Sequence, residues 1–84
     1  MKIETRIETI VRGLFMGGDT EALISADEDF IECGHCDSLG LVRLATALEA
    51  EFSGIRIHDQ EINRDTIGNL ALVNAFVQSK LEEI

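Results

Sequence analysis

The chain has 84 residues. That is enough for one domain but not for a Rossmann sheet, a barrel or a deep catalytic cleft, because a chain this short buries only roughly 60–65% of the surface it exposes unfolded. Apolar residues make up 45% of it, so it folds rather than remaining a disordered tail, and 7 basic against 16 acidic residues leave a net charge of −9. That sign disfavours nucleic acid and anionic membrane surfaces and favours basic protein partners.

The opening MKIETRIETI is charged and alternating, which does not read as a signal peptide. No apolar run approaches the ~18–20 residues of a membrane span. Ile3, Ile7, Ile10, Val11, Leu14 and Phe15 recur at helical spacing, which predicts a first amphipathic helix over about residues 2–16, stopped by Gly17 and Gly18. Residues 19–37 hold no period. Leu23, Ile24, Phe30 and Ile31 are expected to pin this long loop to the core. Between residues 21 and 40 the chain carries Glu21, Asp27, Glu28, Asp29, Glu32 and Asp37 with no Lys or Arg. Such a run is either a solvated acidic loop or a patch that steers partners to a site.

A second helix is expected from Ser38 to Phe52. At about 100° per residue, Leu41, Leu44, Ala45, Leu48 and Phe52 form a core stripe. Leu39, Val42, Thr46 and Ala50 form a second stripe rotated by roughly 120–140° from it. The second stripe is either covered by loops or kept for a partner. Ser53-Gly54 ends the helix, and Ile55 and Ile57 alternate with Arg56 and His58 in an extended link. Asp59 is expected to cap a short helical stretch reaching Arg64–Gly68. A last helix runs from about Asn69 to Glu83, with Leu70, Val73, Val77 and Leu81 on its buried face and Phe76 beside them. The sum is an all-α protein: a small four-helix bundle, three main helices and one short one, with a long loop between helices 1 and 2, forming a single domain over residues 1–84.

Two motifs bear on chemistry. Cys33-Gly34-His35-Cys36 has the CxxC spacing of disulfide oxidoreductases. It follows an acidic stretch rather than a buried strand, no βαβ pattern surrounds it, the chain has no proline to place beside a dithiol, and nearby acids raise a thiol pKa where redox chemistry wants it lowered. Cys33, Cys36, His35 and His58 give only one clustered pair where structural zinc uses two. Two cysteines without a disulfide framework suit a reducing, cytoplasmic setting. The second motif, Asp37-Ser38-Leu39, joins the acidic loop to the two-striped helix. Its plainest reading is an N-cap serine.

Residues 34–52, GHCDSLGLVRLATALEAEF, resemble the signature of acyl, aminoacyl and peptidyl carrier proteins. Gly34, Asp37, Ser38, Leu39, Val42, Leu44, Leu48, Glu49 and Phe52 stand at matching offsets, and the resemblance extends over essentially the whole chain. It implies that Ser38 bears a covalent 4′-phosphopantetheine arm taken from coenzyme A. Asp37 would help dock the phosphopantetheinyl transferase and its metal. Leu39, Val42 and Thr46 would form the stripe partner enzymes grip, with Glu49 adding a rim charge. The protein would perform no catalysis. It would serve an acyl- or aminoacyl-loading ligase and downstream acyltransferase, condensing or tailoring enzymes. Gly40 and Arg43 stand where fatty-acid carriers are often acidic, and Thr46 where they are often apolar. The second helix therefore leans towards aminoacyl, peptidyl or polyketide cargo. Gly40 suggests either a partner's close backbone approach or drift. The predicted helices nearly fill the chain, which points to a free-standing carrier, and a monomer is expected. The rival readings are an unmodified acidic interaction module and a small thiol oxidoreductase.

Overall fold

A computed structural model describes residues 2–17 and 25–83. Helix α1 spans Ile3–Phe15, α2 Ser38–Glu51, α3 Arg64–Ile67 and α4 Leu70–Glu82, and a single 3-10 turn at Asp59–Glu61 precedes α3. No strand occurs among the described residues. Helix α1 lies against both α2 and α4, and α3 against α4. The architecture is the small helical bundle the periodicity predicts.

The core draws on every helix. Ile7 and Val11 enter it from α1, Leu41, Leu44, Ala45 and Leu48 from α2, Ile67 from α3, and Leu70, Val73 and Val77 from α4. Phe52, Ile55 and Ile57 close it from the connection after α2, while Arg56 and His58 between and beyond them are exposed. Leu14 departs from the expected buried face of α1 and stands 40% exposed. Leu81 and Phe76 are only partly buried. Helix α1 ends where Gly17 takes φ +60°, a left-handed value glycine adopts without strain.

The loop before α2 is fastened by more than apolar anchors. Phe30 is fully buried with its ring 5.2 Å from that of Phe15, and Ile31 packs beside the core. Leu23, Ile24 and Gly18 lie outside the described residues. The Phe30 amide donates to Gly68 O and the Ala71 amide to Ala26 O, both at 2.9 Å, so the loop is stitched to the α3–α4 corner. Asp29 locks the turn: its Oδ1 accepts from the amides of Ile31 and Glu32 at 2.9 and 3.0 Å, and Arg64 Nε lies 3.1 Å from its Oδ2. Those amide donors, chiefly Glu32's, and the Arg64 guanidinium hold the Asp29 carboxyl below its ordinary value.

The caps differ in part from expectation. Asp59 is the first residue of the 3-10 turn rather than a cap. The His58 amide donates to Glu61 Oε1 at 2.9 Å, and Asn63 Oδ1 caps α3 by accepting from the amides of Asp65 and Thr66. Asn69 caps α4 through the Leu72 amide at 2.8 Å.

Candidate functional site

Asp37, not Ser38, is the N-cap of α2: its Oδ1 accepts from the Gly40 amide at 3.0 Å. An Asp cap satisfies one of the orphan donors of the first turn and places negative charge at the positive helix end. Ser38 is thereby displaced to the first helical position and is exposed. Its hydroxyl makes no hydrogen bond among the described residues, and the amides of Ser38 and Leu39 find no acceptor there. A helical Cβ tilts towards the N-terminus, so Ser38 Oγ projects past the end of α2. A free hydroxyl beside two free amides is a place where a phosphodiester anion gains both hydrogen bonds and the helix dipole. The residues present fit that group.

The segment leading in is a tight turn. The amides of His35 and Cys36 both donate to Phe30 O, at 2.9 and 3.2 Å, and Gly34 takes φ +79°. The CxxC thus sits in this turn and follows no strand. Both cysteines are free, Cys33 exposed and Cys36 half-buried. Desolvation and the carboxylate of Glu28 push the Cys33 thiol up, and desolvation with Asp37 does the same to Cys36. Neither is the low-pKa thiolate that disulfide exchange uses. His35 Nε2 faces Glu28 Oε2 at 3.4 Å. No group of three or more candidate metal ligands occurs among the described residues.

Gly40 has an internal reason. It is buried, and a Cβ there would collide with Cys36 Cβ and come within 3.1 Å of its Sγ and 3.4 Å of the Phe15 ring. The close approach is to the chain's own turn, so neither a partner's backbone nor drift is needed to account for this residue.

The two stripes of α2 separate as predicted. Leu41, Leu44, Ala45 and Leu48 are sealed, whereas Leu39 is 59% and Val42 44% exposed, and Thr46 and Ala50 are exposed beside them. The charges on α2 are distributed less simply. Glu49 Oε2 accepts from the Ile57 amide at 2.8 Å, fastening the extended link to the helix. Glu51 is clasped by Arg6, whose Nε lies 2.7 Å from its Oε2 and whose guanidinium sits 4.5 Å from the Phe52 ring centre. Arg43 alone among the charged residues of α2 has no ion pair or hydrogen bond within the described residues. It borders a groove of about 200 Å³ between the end of α1 and the start of α2, lined also by Leu14, Phe15, His35, Cys36, Asp37 and Gly40.

The acids of the loop are mostly engaged inside the molecule. Asp29 meets Arg64, Glu32 lies 3.7 Å from the same guanidinium, Glu28 faces His35 and Asp37 caps α2. Their contacts brace the loop that leads into α2, a role that charge counting along the sequence does not reveal.

A family model described as a phosphopantetheine attachment site matches residues 6–73, from α1 into α4 and across the whole of α2. No match was found among curated proteins or among solved structures. With a match over well more than half of its length, the chain belongs to the phosphopantetheine-attachment family: it is a non-catalytic carrier protein, on which a 4′-phosphopantetheine group is held covalently for use by separate enzymes.

Proposed function

We propose that Ser38 is the attachment residue and that residues 1–84 form a single, monomeric carrier domain working in the cytoplasm. The observation that carries this is the exposed hydroxyl at the first position of α2, which, like the two amides beside it, has no hydrogen bond among the described residues. In loading, Ser38 Oγ forms the new bond to phosphorus of coenzyme A. The bond to adenosine 3′,5′-bisphosphate breaks, and the hydroxyl proton passes to the transferase, which brings its own magnesium. Ser38 and Leu39 amides then hold the phosphodiester anion at the helix end. Asp37 fixes the first turn through Gly40, and its carboxylate would help dock the transferase and its metal. The bound arm supplies a thiol that carries cargo as a thioester.

Leu39, Val42 and Thr46 form the face that partners grip. Apolar side chains this exposed on a helix beside the attachment point are suited to a transient interface whose centre is apolar. Glu49 adds a rim charge through the oxygen not engaged by Ile57. The partners are the transferase, an acyl- or aminoacyl-loading ligase and downstream acyltransferase, condensing or tailoring enzymes. The cargo is aminoacyl, peptidyl or polyketide rather than that of fatty-acid synthesis. What supports that preference is Arg43, a cation with no ion pair among the described residues where fatty-acid carriers are often acidic; Gly40 is explained by packing against Cys36.

Intact-mass measurement after incubation with coenzyme A and a promiscuous phosphopantetheinyl transferase tests the assignment. Gain of one phosphopantetheine by the wild type and none by Ser38→Ala is the expected result. A gain that survives Ser38→Ala, or none with several transferases, refutes it.

A further inference from the structure

The turn that leads into α2 is held from a distant part of the chain. The peptide between Phe30 and Ile31 is its joint. The carbonyl of that peptide accepts from the amides of His35 and Cys36, the two residues before the Asp37 cap, and its N–H donates to Asp29 Oδ1. The Glu32 amide donates to the same oxygen. The other oxygen, Asp29 Oδ2, faces both Nε and Nη2 of Arg64, the first residue of α3, at 3.1 Å. A second fastening runs beside it, since the Phe30 amide donates to Gly68 O at the other end of α3. Downstream, Cys36 sits against the bare Cα of Gly40, and the Gly40 amide is the donor that Asp37 caps. An unbroken run of contacts therefore joins α3 to the first turn of α2.

We infer that Arg64 and Asp29 are positioning residues for loading: their ion pair holds the first turn of α2 where Ser38 Oγ can meet the phosphorus of coenzyme A. The inference rests on Ser38 being the attachment residue. The pair is not needed for burial. The Arg64 side chain is 48% exposed and that of Asp29 22%, and ion pairs in such settings add little stability. Its geometry gives it a different use. The two oxygens of a carboxylate are rigidly joined, so a guanidinium that fixes Oδ2 also fixes the Oδ1 from which the Phe30–Ile31 peptide hangs. Without Arg64 the carboxylate turns about its Cβ–Cγ bond, and the peptide, the Cys36 seat and the Asp37 cap lose a fixed reference. The pair acts through the backbone and needs no contact with coenzyme A. Because the Leu39–Val42 stripe stays exposed on α2, the loss falls on the transfer step rather than on docking.

The test combines initial rates of phosphopantetheine transfer, from coenzyme A by a promiscuous transferase, with amide hydrogen exchange of the unmodified protein. Arg64→Gln and Asp29→Asn should each lower kcat about threefold to tenfold, a fraction of the ~100-fold that a 1 Å misplacement can cost, with KM little changed. Both should still reach the full mass gain at long times. The Gly40 amide should exchange faster in both, while a core amide such as that of Val73, bonded to Asn69 O, keeps its rate. The thermal melt should move by less than about 8 °C. The double variant should be no slower than either single one, as for two groups that act as a unit, and Arg64→Lys should recover most of the lost kcat. Unchanged kcat with unchanged Gly40 exchange overturns the inference and leaves the Ser38 assignment standing. So does a fall in rate that tracks a collapse of the melt, which makes the pair a structural contact only. A rise in KM alone overturns it too, because that places Arg64 against the transferase. A wild type that gains no mass at Ser38 refutes the attachment reading, and the positioning role falls with it.

Discussion

Along α2, Leu44 and Leu48 are 0% exposed and Leu41 2%, while Leu39 and Val42, a residue or two away, stand at 59% and 44%. The residue types are nearly the same, and only their angle around the helix axis differs. Burying a Leu or Val side chain contributes about 1.5–3 kcal/mol, so the inner stripe is explained by folding alone. The outer stripe gains nothing from folding. Single exposed apolar residues are ordinary, but these two follow an exposed serine at the tip of the same helix in a chain of the phosphopantetheine-attachment family. The comparison teaches that the inner face of α2 answers to the bundle while the outer face is left unburied by it, so changes on the two faces should have separable consequences.

The most damaging test falls on the inner face. Leu48 is sealed near the C-terminal end of α2 against the rest of the core. Leu48→Ala leaves a cavity and should lower stability by about 2–5 kcal/mol in urea denaturation. Because Ser38 lies three turns away at the other end of the helix, whatever fraction remains folded should still accept a phosphopantetheine. A loss below about 1 kcal/mol would mean that the inner stripe is not the core.

An intermediate effect is expected at the boundary between the faces. Gly40→Ala gains about 1 kcal/mol of helix propensity, but the new Cβ collides with Cys36 Cβ, which is anchored to the backbone and cannot swing aside. Overpacking of this kind costs about 1–3 kcal/mol, so a net loss on the order of 1 kcal/mol is predicted. Removing the obstacle as well, in Gly40→Ala with Cys36→Gly, should recover most of the loss attributable to the clash. A double-mutant cycle showing no coupling between the two positions would contradict the packing account of Gly40.

The helices were readable because their apolar spacing reports directly on burial. Leu41, Leu44, Ala45 and Leu48 are where the periodicity puts them, and so is the outward pair Leu39 and Val42. The family was readable from the register of Gly34, Asp37, Ser38 and Leu39 against its signature rather than from any local propensity. What the sequence concealed are interactions across long separations. Asp29 reaches Arg64, the Phe30 amide reaches Gly68, and Glu49 reaches the Ile57 amide. Each is a polar side chain or backbone group whose partner carries no periodic signal. The capping role of Asp37 is short-range, but Asp and Ser are about equally good caps, so their order in Asp37-Ser38 could not decide which one closes the helix. Gly40 illustrates the same limit: a missing side chain in a helix reads as a cost until the turn at Cys36 is seen beside it.

The smallest effect on stability, and the sharpest separation of the two faces, is expected at Val42. Val42→Asp removes one exposed methyl pair and adds a charge to water-facing surface, and such changes usually stay within ±0.5 kcal/mol. For a domain of 60–100 residues 1 kcal/mol shifts the melting temperature by roughly 4–8 °C, so the thermal melt followed by circular dichroism should move by no more than about 4 °C. Loading should respond differently. An aspartate in the centre of an apolar contact has to be desolvated without a partner, which costs well over 1.4 kcal/mol, the equivalent of tenfold. The rate of phosphopantetheine transfer to Ser38 should therefore fall about tenfold or more while the melt stays in place. If the melt collapses, Val42 belongs to the core. If the melt and the transfer rate are both unchanged, the outer stripe is not the surface that the transferase grips, and its exposure would have to be explained by a different partner.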